Sequence, residues 1–297
     1  MSDGASPVVG VVGLGAMGLG MASTLAAKGF RVFGFDLSAE RRTKAGEAGV
    51  EPVETLDAVF GSTSHLVFSL PTAADVSSVL EPRIGRLGAE RRVVVIDTSP
   101  SEPEVRRALA RRLDEAGHGF LDAPVSGGPA GAAAGKLAMM IGGADGDLAL
   151  ARPVIEAMAA KILHVGPSGA GNVAKLVNNL LVAAHMLTTG EGLRLAEAAG
   201  VDPEAVLRVV NAASGKSFLS EVHFPTWIMS DRFDSGFSMG LMRKDVRLAG
   251  EMADAFGVEM PLSSRVRELW KESAERLPDA EDFTRMGAFK ASEETGR

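Results

Sequence analysis

The segment "PVVGVVGLGAMG" restricts the fold more than any other part of the sequence. Its short Val-rich run suits a strand that is buried on both faces, and the run passes directly into Gly13, Gly15 and Gly18. The Ala-, Leu- and Met-rich stretch that follows predicts a helix ending at Gly29, and "RVFGFD" predicts a second strand ending at Asp36. A strand, a glycine turn, a helix and a second strand begin a parallel sheet with crossover helices.

The same glycines predict a ligand. A G-x-G-x-x-G pattern that follows a strand and opens a helix lets backbone N–H groups approach a pyrophosphate at the positive end of the helix. The carboxylate of Asp36 is placed to accept hydrogen bonds from the ribose hydroxyls. The alternative is a close-packed turn beside a surface aspartate. We expect dinucleotide contacts from Asp36 and from six consecutive residues, which are Gly13, Leu14, Gly15, Ala16, Met17 and Gly18.

The surroundings of Asp36 favour NAD over NADP as the dinucleotide. A carboxylate at this position repels a 2′-phosphate, and Leu37 stands where an NADP-dependent site often carries arginine. Arg41 and Arg42 are close by in sequence, so NADP stays possible.

The alternation of strands and helices continues through the first half and stops near residue 165. Two further apolar strands, "HLVFSLP" and "RRVVVIDTSP", end at proline and small polar residues. From Gly169 to Gly200 there is no proline, so a single helix of about 30 residues is predicted, far above the usual mean of about 11 to 12. Helix signals continue beyond it, with Asp202 as an N-cap. We expect an α/β domain over residues 1–165 and an all-helical domain over residues 166–297, joined by the long helix.

Composition excludes several classes of partner and site. The formal net charge of -7 over 297 residues argues against binding to nucleic acid or to anionic membranes. The chain has no cysteine, which excludes disulfides and thiolate metal sites, and its five histidines lack metal-ligand spacing, so no metal is expected. The apolar run near the amino terminus lacks a basic region before it and is broken by glycines, which fits neither a signal peptide nor a membrane span. We expect a cytoplasmic protein.

Composition also excludes three common hydride-transfer chemistries. Without tyrosine, the Tyr-x-x-x-Lys proton relay of short-chain reductases cannot be built. Without cysteine, neither the zinc site of alcohol dehydrogenases nor the thiohemiacetal of aldehyde dehydrogenases can form.

Three groups of residues are left as candidates for chemistry. In "GAGNVAKLVNN", Lys175 and Asn179 are four residues apart and share one face of the long helix, where desolvation of a lysine favours the neutral amine that proton transfer needs. In "DAPVSGG", Ser126 and two following glycines suit a carboxylate, although a flexible interdomain loop is the alternative. In "MRKDVRLA", Lys244 is a third candidate, unless it snorkels or pairs with Asp245.

Four segments together resemble the β-hydroxyacid dehydrogenase family, and they are "GLGAMGLGMASTL", "DAPVSGGPAGAAAGKLAMMIGG", "GAGNVAKLVNN" and "KDVRLA". They occur in order and at suitable separations through nearly the whole chain. The resemblance implies a Rossmann-type dinucleotide-binding domain followed by an all-helical domain, with the active site in the cleft between them. It implies reversible hydride transfer between a nicotinamide cofactor and a small 3-hydroxy acid or its semialdehyde. We expect the helical domain to serve substrate binding and oligomerisation. We expect a homodimer or homotetramer, for which the long apolar helix offers an interface unless it is covered within one chain.

The resemblance also implies roles for single residues. Lys175 is the catalytic acid/base, with Asn179 beside it. The implied substrate-binding positions are Ser126, Gly127, Gly128 and Asn179, and the implied cofactor-lining positions are Leu70, Pro71, Thr98 and Lys244. The chain departs from the family in two places. Asp75 stands where several relatives have asparagine near the nicotinamide, and "DTSPSEP" replaces a Thr-Ile-Asp-Pro type of sequence.

Three alternatives differ in chemistry. A decarboxylating relative such as 6-phosphogluconate dehydrogenase has a glutamate seven residues after the lysine, where this chain has Val182. A non-catalytic nucleotide-binding module needs neither Lys175 nor Asn179. An imine reductase on a similar scaffold usually carries another residue in place of Lys175.

Overall fold

The computed structural model describes residues 7–88, 92–99 and 101–289, in which nine strands form one sheet. The strands are β1 (Val8–Val12), β2 (Arg31–Phe35), β3 (Glu51–Pro52), β4 (His65–Phe68), β5 (Val94–Asp97), β6 (Gly119–Asp122), β7 (Val125–Ser126), β8 (Leu137–Gly142) and β9 (Ala159–Gly166). Their order is β3-β2-β1-β4-β5-β6-β8-β7, with β9 paired to β8. The first six strands are parallel in the order 3-2-1-4-5-6, which is the order of doubly wound dinucleotide-binding sheets. The predicted α/β class is confirmed.

Besides a 3₁₀ helix at Glu81–Arg86, seven α-helices accompany the described part of this sheet. They are α1 (Ala16–Ala27), α2 (Ala39–Glu47), α3 (Leu56–Ser62), α4 (Ala73–Leu80), α5 (Pro103–Glu115), α6 (Gly128–Ala133) and α7 (Asp145–Met158). Helix α1 ends just before Gly29, which has a φ of +86°. Ser38 caps α2, as its hydroxyl accepts a hydrogen bond from the N–H of Arg41. The glycine signal at the end of α1 therefore has the predicted effect, and α2 starts with one of the residue types that N-caps favour.

Each face of the sheet has its own apolar core. Along β4, Val67 packs into one cluster with α1 and α7, whereas Leu66 and Phe68 pack into another with α3, α4 and α5. Neighbouring side chains of a strand point to opposite faces, so a strand covered on both faces is apolar at every position. This arrangement explains the uninterrupted apolar runs in the sequence.

Antiparallel pairing at one end of the sheet is a feature that the sequence does not reveal. Strand β8 pairs antiparallel with β6 through Asp122 and Gly142, and with β7 through Ser126 and Ala138. The Gly/Ala-rich stretch between β7 and β8 contains α6. A two-residue strand has no periodicity, which is why β7 leaves no signal.

The predicted long helix is α8 (Ala170–Ala198), whose 29 residues correspond to about 44 Å. The chain divides into two compact units, residues 1–175 and 176–297, so the division falls inside this helix. The domain boundary predicted after residue 165 lies just before the first residue of α8.

The described residues of the second unit form only helices and loops, apart from an isolated bridge between Ser238 and Asp282. It contains the rest of α8, α9 (Pro203–Ala212), α10 (Met239–Phe256), α11 (Pro261–Glu272), a π-helical segment (Leu219–Ile228) and 3₁₀ turns at Ser273–Glu275 and Phe283–Ala288. Its core surrounds the fully buried Trp270, whose indole N–H donates to the carbonyl of Ala183. As predicted, Asp202 caps α9, since its carboxylate accepts from the N–H groups of Glu204 and Ala205.

None of the helices among the described residues combines the length and apolarity that a membrane crossing requires.

Candidate active site

The residues predicted to bind the dinucleotide lie at one edge of the sheet. Gly13 follows β1, Asp36 follows β2, Leu70 follows β4 and Thr98 follows β5, so all four stand at carboxyl ends of neighbouring parallel strands. The strand order reverses direction between β1 and β4. Ligands of doubly wound sheets bind outside the carboxyl ends at such a reversal point. The structure thus brings these predicted residues together.

The glycine turn after β1 has the shape that a phosphate group needs. A Cβ atom on Gly18 would lie 1.8 Å from the carbonyl oxygen of Gly13, so this close approach of helix and strand excludes every other residue. At Gly15, in contrast, a Cβ atom would meet no described atom within 4 Å. Packing therefore does not require glycine at Gly15, and the space above its backbone is open at the place predicted for a pyrophosphate. Ala16 and Met17 begin α1 at the same place.

Asp36 is held in a fixed orientation at the end of β2. Its carboxylate oxygens accept hydrogen bonds from the N–H of Leu14 at 2.8 Å and from the N–H of Ser38 at 2.9 Å. The side chain of Leu14 belongs to the core, so this residue contributes by orienting Asp36. Arg41 lies 3.4 Å from the carboxylate, and Leu37 is 90% exposed beside it. An acceptor for ribose hydroxyls and a nearby cation are thus both present.

The loops after β4 and β5 are hydrogen-bonded to each other. The N–H of Leu70 donates to the hydroxyl of Ser99 at 3.0 Å, and the hydroxyl of Thr98 donates to the carbonyl of Phe68 at 2.7 Å. Pro71 is exposed next to Leu70. These contacts fix the two loops that are predicted to line the dinucleotide.

The unusual Asp75 has a local structural role. Its carboxylate accepts hydrogen bonds from the N–H and the hydroxyl of Thr72, while the hydroxyl of Thr72 accepts from the N–H of Asp75. This reciprocal pair is a capping box that starts α4.

A buried ion pair supports the β5 loop. Arg106 and Asp97 are both fully buried, with 2.6 Å between Nη2 and Oδ2, and Nη2 also donates to the carbonyl of Ser99. Burial raises the pKa of the Asp97 carboxyl, and the charge of Arg106 opposes that effect. Sequence reasoning missed this pair. A signal was present, because Arg106 interrupts the apolar face that Pro103, Leu109 and Leu113 form on α5.

The segment predicted to bind a carboxylate is a strand end followed by a short helix. Ser126 pairs with Ala138 through the backbone, and the residue is half-buried. Gly127 and Gly128 have φ values of +128° and +62°, and a Cβ on Gly128 would meet no described atom within 4 Å. A hydroxyl donor and open backbone therefore lie side by side, as an anion requires.

Helix α8 carries the predicted catalytic pair in a buried setting. Lys175 is 7% exposed and Asn179 is 4% exposed, although both are polar. The amide of Asn179 donates to the carboxylate of Asp245 at 2.6 Å and accepts from the amide of Asn178 at 3.0 Å. Lys244 is half-buried on α10 next to Asp245. Lysine and asparagine are seldom this deeply buried, and the structure brings the two predicted catalytic residues together on one face of α8.

Within the described parts of the chain, no group of three or more His, Asp or Glu side chains is arranged to hold a metal ion.

Comparison with known proteins agrees with this geometry. The family model described as the NAD binding domain of 6-phosphogluconate dehydrogenase matches residues 8–166, and the one described as NAD-binding of NADP-dependent 3-hydroxyisobutyrate dehydrogenase matches residues 169–289. The 2-(hydroxymethyl)glutarate dehydrogenase of Eubacterium barkeri is 34% identical over 89% of this chain and 88% of its own. The mitochondrial 3-hydroxyisobutyrate dehydrogenase of Mus musculus is 29% identical over 96% of this chain and 88% of its own.

A solved structure extends the similarity to three dimensions. The 3-hydroxyisobutyrate dehydrogenase of Mycobacterium tuberculosis, solved with L-serine, superposes with a TM-score of 0.88 at 32% identity, covering 95% of this chain and 98% of the other. The glycine turn, the doubly wound sheet and the helical second unit are accounted for by one family. The chain belongs to the β-hydroxyacid dehydrogenases and is an NAD(P)-dependent oxidoreductase of hydroxy acids.

Proposed function

We propose that the protein oxidises a small 3-hydroxy acid to its semialdehyde, reversibly and without loss of the carboxylate. The compounds in the names of its relatives support this class. 3-Hydroxyisobutyrate, 2-(hydroxymethyl)glutarate and L-serine all contain a primary alcohol on the carbon next to the one that bears the carboxylate. The best substrate is therefore a 3-hydroxypropionate with a substituent at carbon 2.

The observation that carries the proposal is the burial of Lys175 with Asn179 one turn later on α8. Oxidation removes a proton from the substrate hydroxyl and a hydride from the carbon that bears it. NAD, when bound, supplies the hydride acceptor. Lys175 as a neutral amine accepts the hydroxyl proton at Nζ, and in the reverse direction its ammonium returns that proton to the carbonyl oxygen.

Positioning accounts for the remaining acceleration. Asn179 holds the substrate hydroxyl, because its amide is already oriented by Asp245. Ser126 and the backbone of Gly127 and Gly128 hold the carboxylate. No covalent intermediate is needed in either direction, so correct placement of the reacting groups is the main contribution of the protein.

The cofactor half of the proposal is a preference for NAD over NADP. The dinucleotide is contacted by the glycine turn of residues 13–18 and by Asp36, Leu70, Pro71 and Thr98. Lys244 lies near it. This assignment is supported by the position of these residues, because all of them except Lys244 lie at the carboxyl ends of neighbouring parallel strands. We assign residues 1–165 to the cofactor domain and residues 166–297 to the substrate and oligomerisation domain. The ranges that the two family models match support the place of this division.

Assembly and location complete the proposal. We expect a homodimer or homotetramer in the cytoplasm. Val177 and Leu181, one turn apart on α8, are 46% and 53% exposed, which suits contact with a second copy. Light scattering after size-exclusion chromatography measures the mass, and cell fractionation measures the location.

The best substrate is first identified with a panel of 2-substituted 3-hydroxypropionates and with NAD and NADP, while cyclic imines with NADPH test the imine reductase alternative.

The mechanism is then tested with Lys175→Ala. The control is Lys161→Ala, because Lys161 is exposed on β9. We expect Lys175→Ala to keep its fold and its NAD affinity while kcat falls by about 10² to 10⁴-fold, since the proton loses its positioned carrier. A folded variant with nearly normal kcat removes Lys175 from the mechanism.

A further inference from the structure

The amino end of α8 is capped by a carboxylate from the sheet. Asp122 stands at the end of β6 and is fully buried. Its Oδ1 accepts from the N–H of Gly169 at 2.7 Å, and its Oδ2 accepts from the N–H of Asn172 at 2.9 Å. The first N–H groups of a helix have no partner within the helix, so Asp122 supplies what α8 lacks. Burial raises the pKa of the Asp122 carboxyl, and these N–H donors oppose that effect.

Asn172 connects the same point to a third segment. It is fully buried, and its Oδ1 accepts from the N–H of Ser101 at 2.8 Å, while its Nδ2 lies 3.4 Å from the carboxylate of Asp122. Ser101 belongs to the loop after β5, three residues beyond Thr98. The pair Asp122 and Asn172 therefore ties together three segments, which lead to Thr98, to Ser126 and to Lys175.

The packing around this pair is tight enough to require glycine at two positions. A Cβ atom on Gly142 would lie 2.5 Å from Oδ1 of Asp122 and 2.8 Å from the N of Ala170. A Cβ atom on Gly171 would lie 2.4 Å from the carbonyl oxygen of Met140. The backbone of the sheet thus packs closely against the backbone of the first turn of α8.

We propose that Asp122 and Asn172 are positioning residues for Lys175. The proposal depends on the proposed function of Lys175. That lysine follows Asn172 by three residues, about 4.5 Å along the helix, so a displacement of the first turn also displaces the backbone that carries Lys175. A displacement of about 1 Å in a reacting group can cost about 10²-fold in rate. Asp122 is four residues before Ser126, so the same anchor sets the proton carrier relative to the carboxylate site.

The test uses Asn172→Ala and the milder Asp122→Asn in the full chain, each also combined with Lys175→Ala. In the otherwise unchanged protein, we expect kcat to fall by about 10 to 100-fold while KM for the acid and Kd for NAD change by less than about threefold. In the Lys175→Ala background, we expect no further loss of kcat, because the two residues act through the lysine.

The control is Asp202→Asn, which weakens the carboxylate cap of α9, a helix that carries no proposed site residue. Its kcat is expected to stay within twofold of the unmodified protein. If Lys175→Ala keeps nearly normal kcat, the proposed function is wrong. If Lys175→Ala loses activity but the second substitution lowers kcat equally in both backgrounds, the positioning role is wrong. If neither variant folds, the pair serves stability and the proposal is overturned.

Discussion

The side-chain amide of Asn179 donates a 2.6 Å hydrogen bond to the buried carboxylate of Asp245. Asn178 donates to the oxygen of the same amide, so both ends of the Asn179 side chain are oriented by neighbours. A ligand that meets Asn179 therefore meets a group whose direction is already set.

Removing Asp245 is expected to impair catalysis through Asn179. We expect Asp245→Ala to lower kcat/KM by about 10 to 100-fold, since a charge-assisted hydrogen bond of about 1.5 to 3 kcal/mol that orients the amide is lost. Steady-state kinetics on the best acid measures it. Asp254→Ala on the same helix breaks only the exposed pair with Arg267 and serves as control. If a folded Asp245→Ala protein keeps its kcat/KM, Asp245 does not orient Asn179 for catalysis.

Asp36 is expected to decide cofactor choice. The unmodified enzyme should favour NAD, and Asp36→Ala should shift the ratio of kcat/KM values toward NADP by at least about tenfold, or about 1.4 kcal/mol, because the ribose acceptor is lost and the repulsion of a 2′-phosphate disappears. Kinetics with both cofactors measures the ratio. Glu40→Ala, which breaks an exposed ion pair with Lys44 on α2, is the control. A tenfold preference of the unmodified enzyme for NADP contradicts the assignment.

Ser126→Ala is expected to weaken binding of the substrate carboxylate. The loss of one hydroxyl donor should raise KM for the acid by an amount that corresponds to about 1.5 to 3 kcal/mol, with a smaller change in kcat. The matched comparison is the amide of the same substrate, which lacks the charge. If Ser126→Ala raises KM equally for the acid and for the amide, Ser126 does not bind the carboxylate.

The dinucleotide half of the site could be predicted from the sequence because its signals are local. The strand, the three glycines and Asp36 occur within 29 residues, and their spacing alone specifies the turn. The long helix α8 was equally accessible, since length and the absence of proline suffice.

The contacts that hold the rest of the site join residues far apart in sequence. Asp122 meets Gly169 and Asn172 across 47 and 50 residues, and Asn179 meets Asp245 across 66. No periodicity encodes such pairs, because each partner reads as an ordinary polar residue near a strand end or on a helix. Only the register of the sheet and the packing of the helices bring them together.

His223 is expected to make stability depend on pH. Its ring packs edge to face against Phe218, Trp227 and Phe283, and this burial lowers the pKa of the imidazole, opposed only in part by the backbone of Phe218 and the charge of Asp282. The unfolded chain then binds the proton more readily than the folded protein. The contribution to stability is complete above the unfolded pKa of 6.5 and is lost as pH falls below it.

The measurement for His223 is Tm between pH 7.5 and 5.5 for the unmodified protein and for His223→Phe. The variant keeps the ring contacts and loses the titration, so its Tm should fall less steeply. Burial also lowers the pKa of His118, but that residue is the same in both proteins, and the difference isolates His223. Parallel curves contradict the prediction.

The last prediction is that the carboxylate of the substrate survives oxidation. Loss of CO₂ from an oxidised 3-hydroxy acid leaves an enol that must be protonated at carbon, so a decarboxylating enzyme benefits from a second acid beside the group that handles the hydroxyl proton. In the resembling 6-phosphogluconate enzymes, a glutamate seven residues after the lysine supplies it. Here that position is Val182, which packs against the core of the second unit, and Glu191 follows Lys175 by 16 residues, about 24 Å along α8.

NMR analysis during oxidation of the best acid should show the semialdehyde accumulating with its carboxylate. Enzyme-dependent CO₂ release in proportion to NADH, faster than spontaneous breakdown of the product, overturns this assignment, and Val182→Glu tests whether an acid at that position is enough to start it.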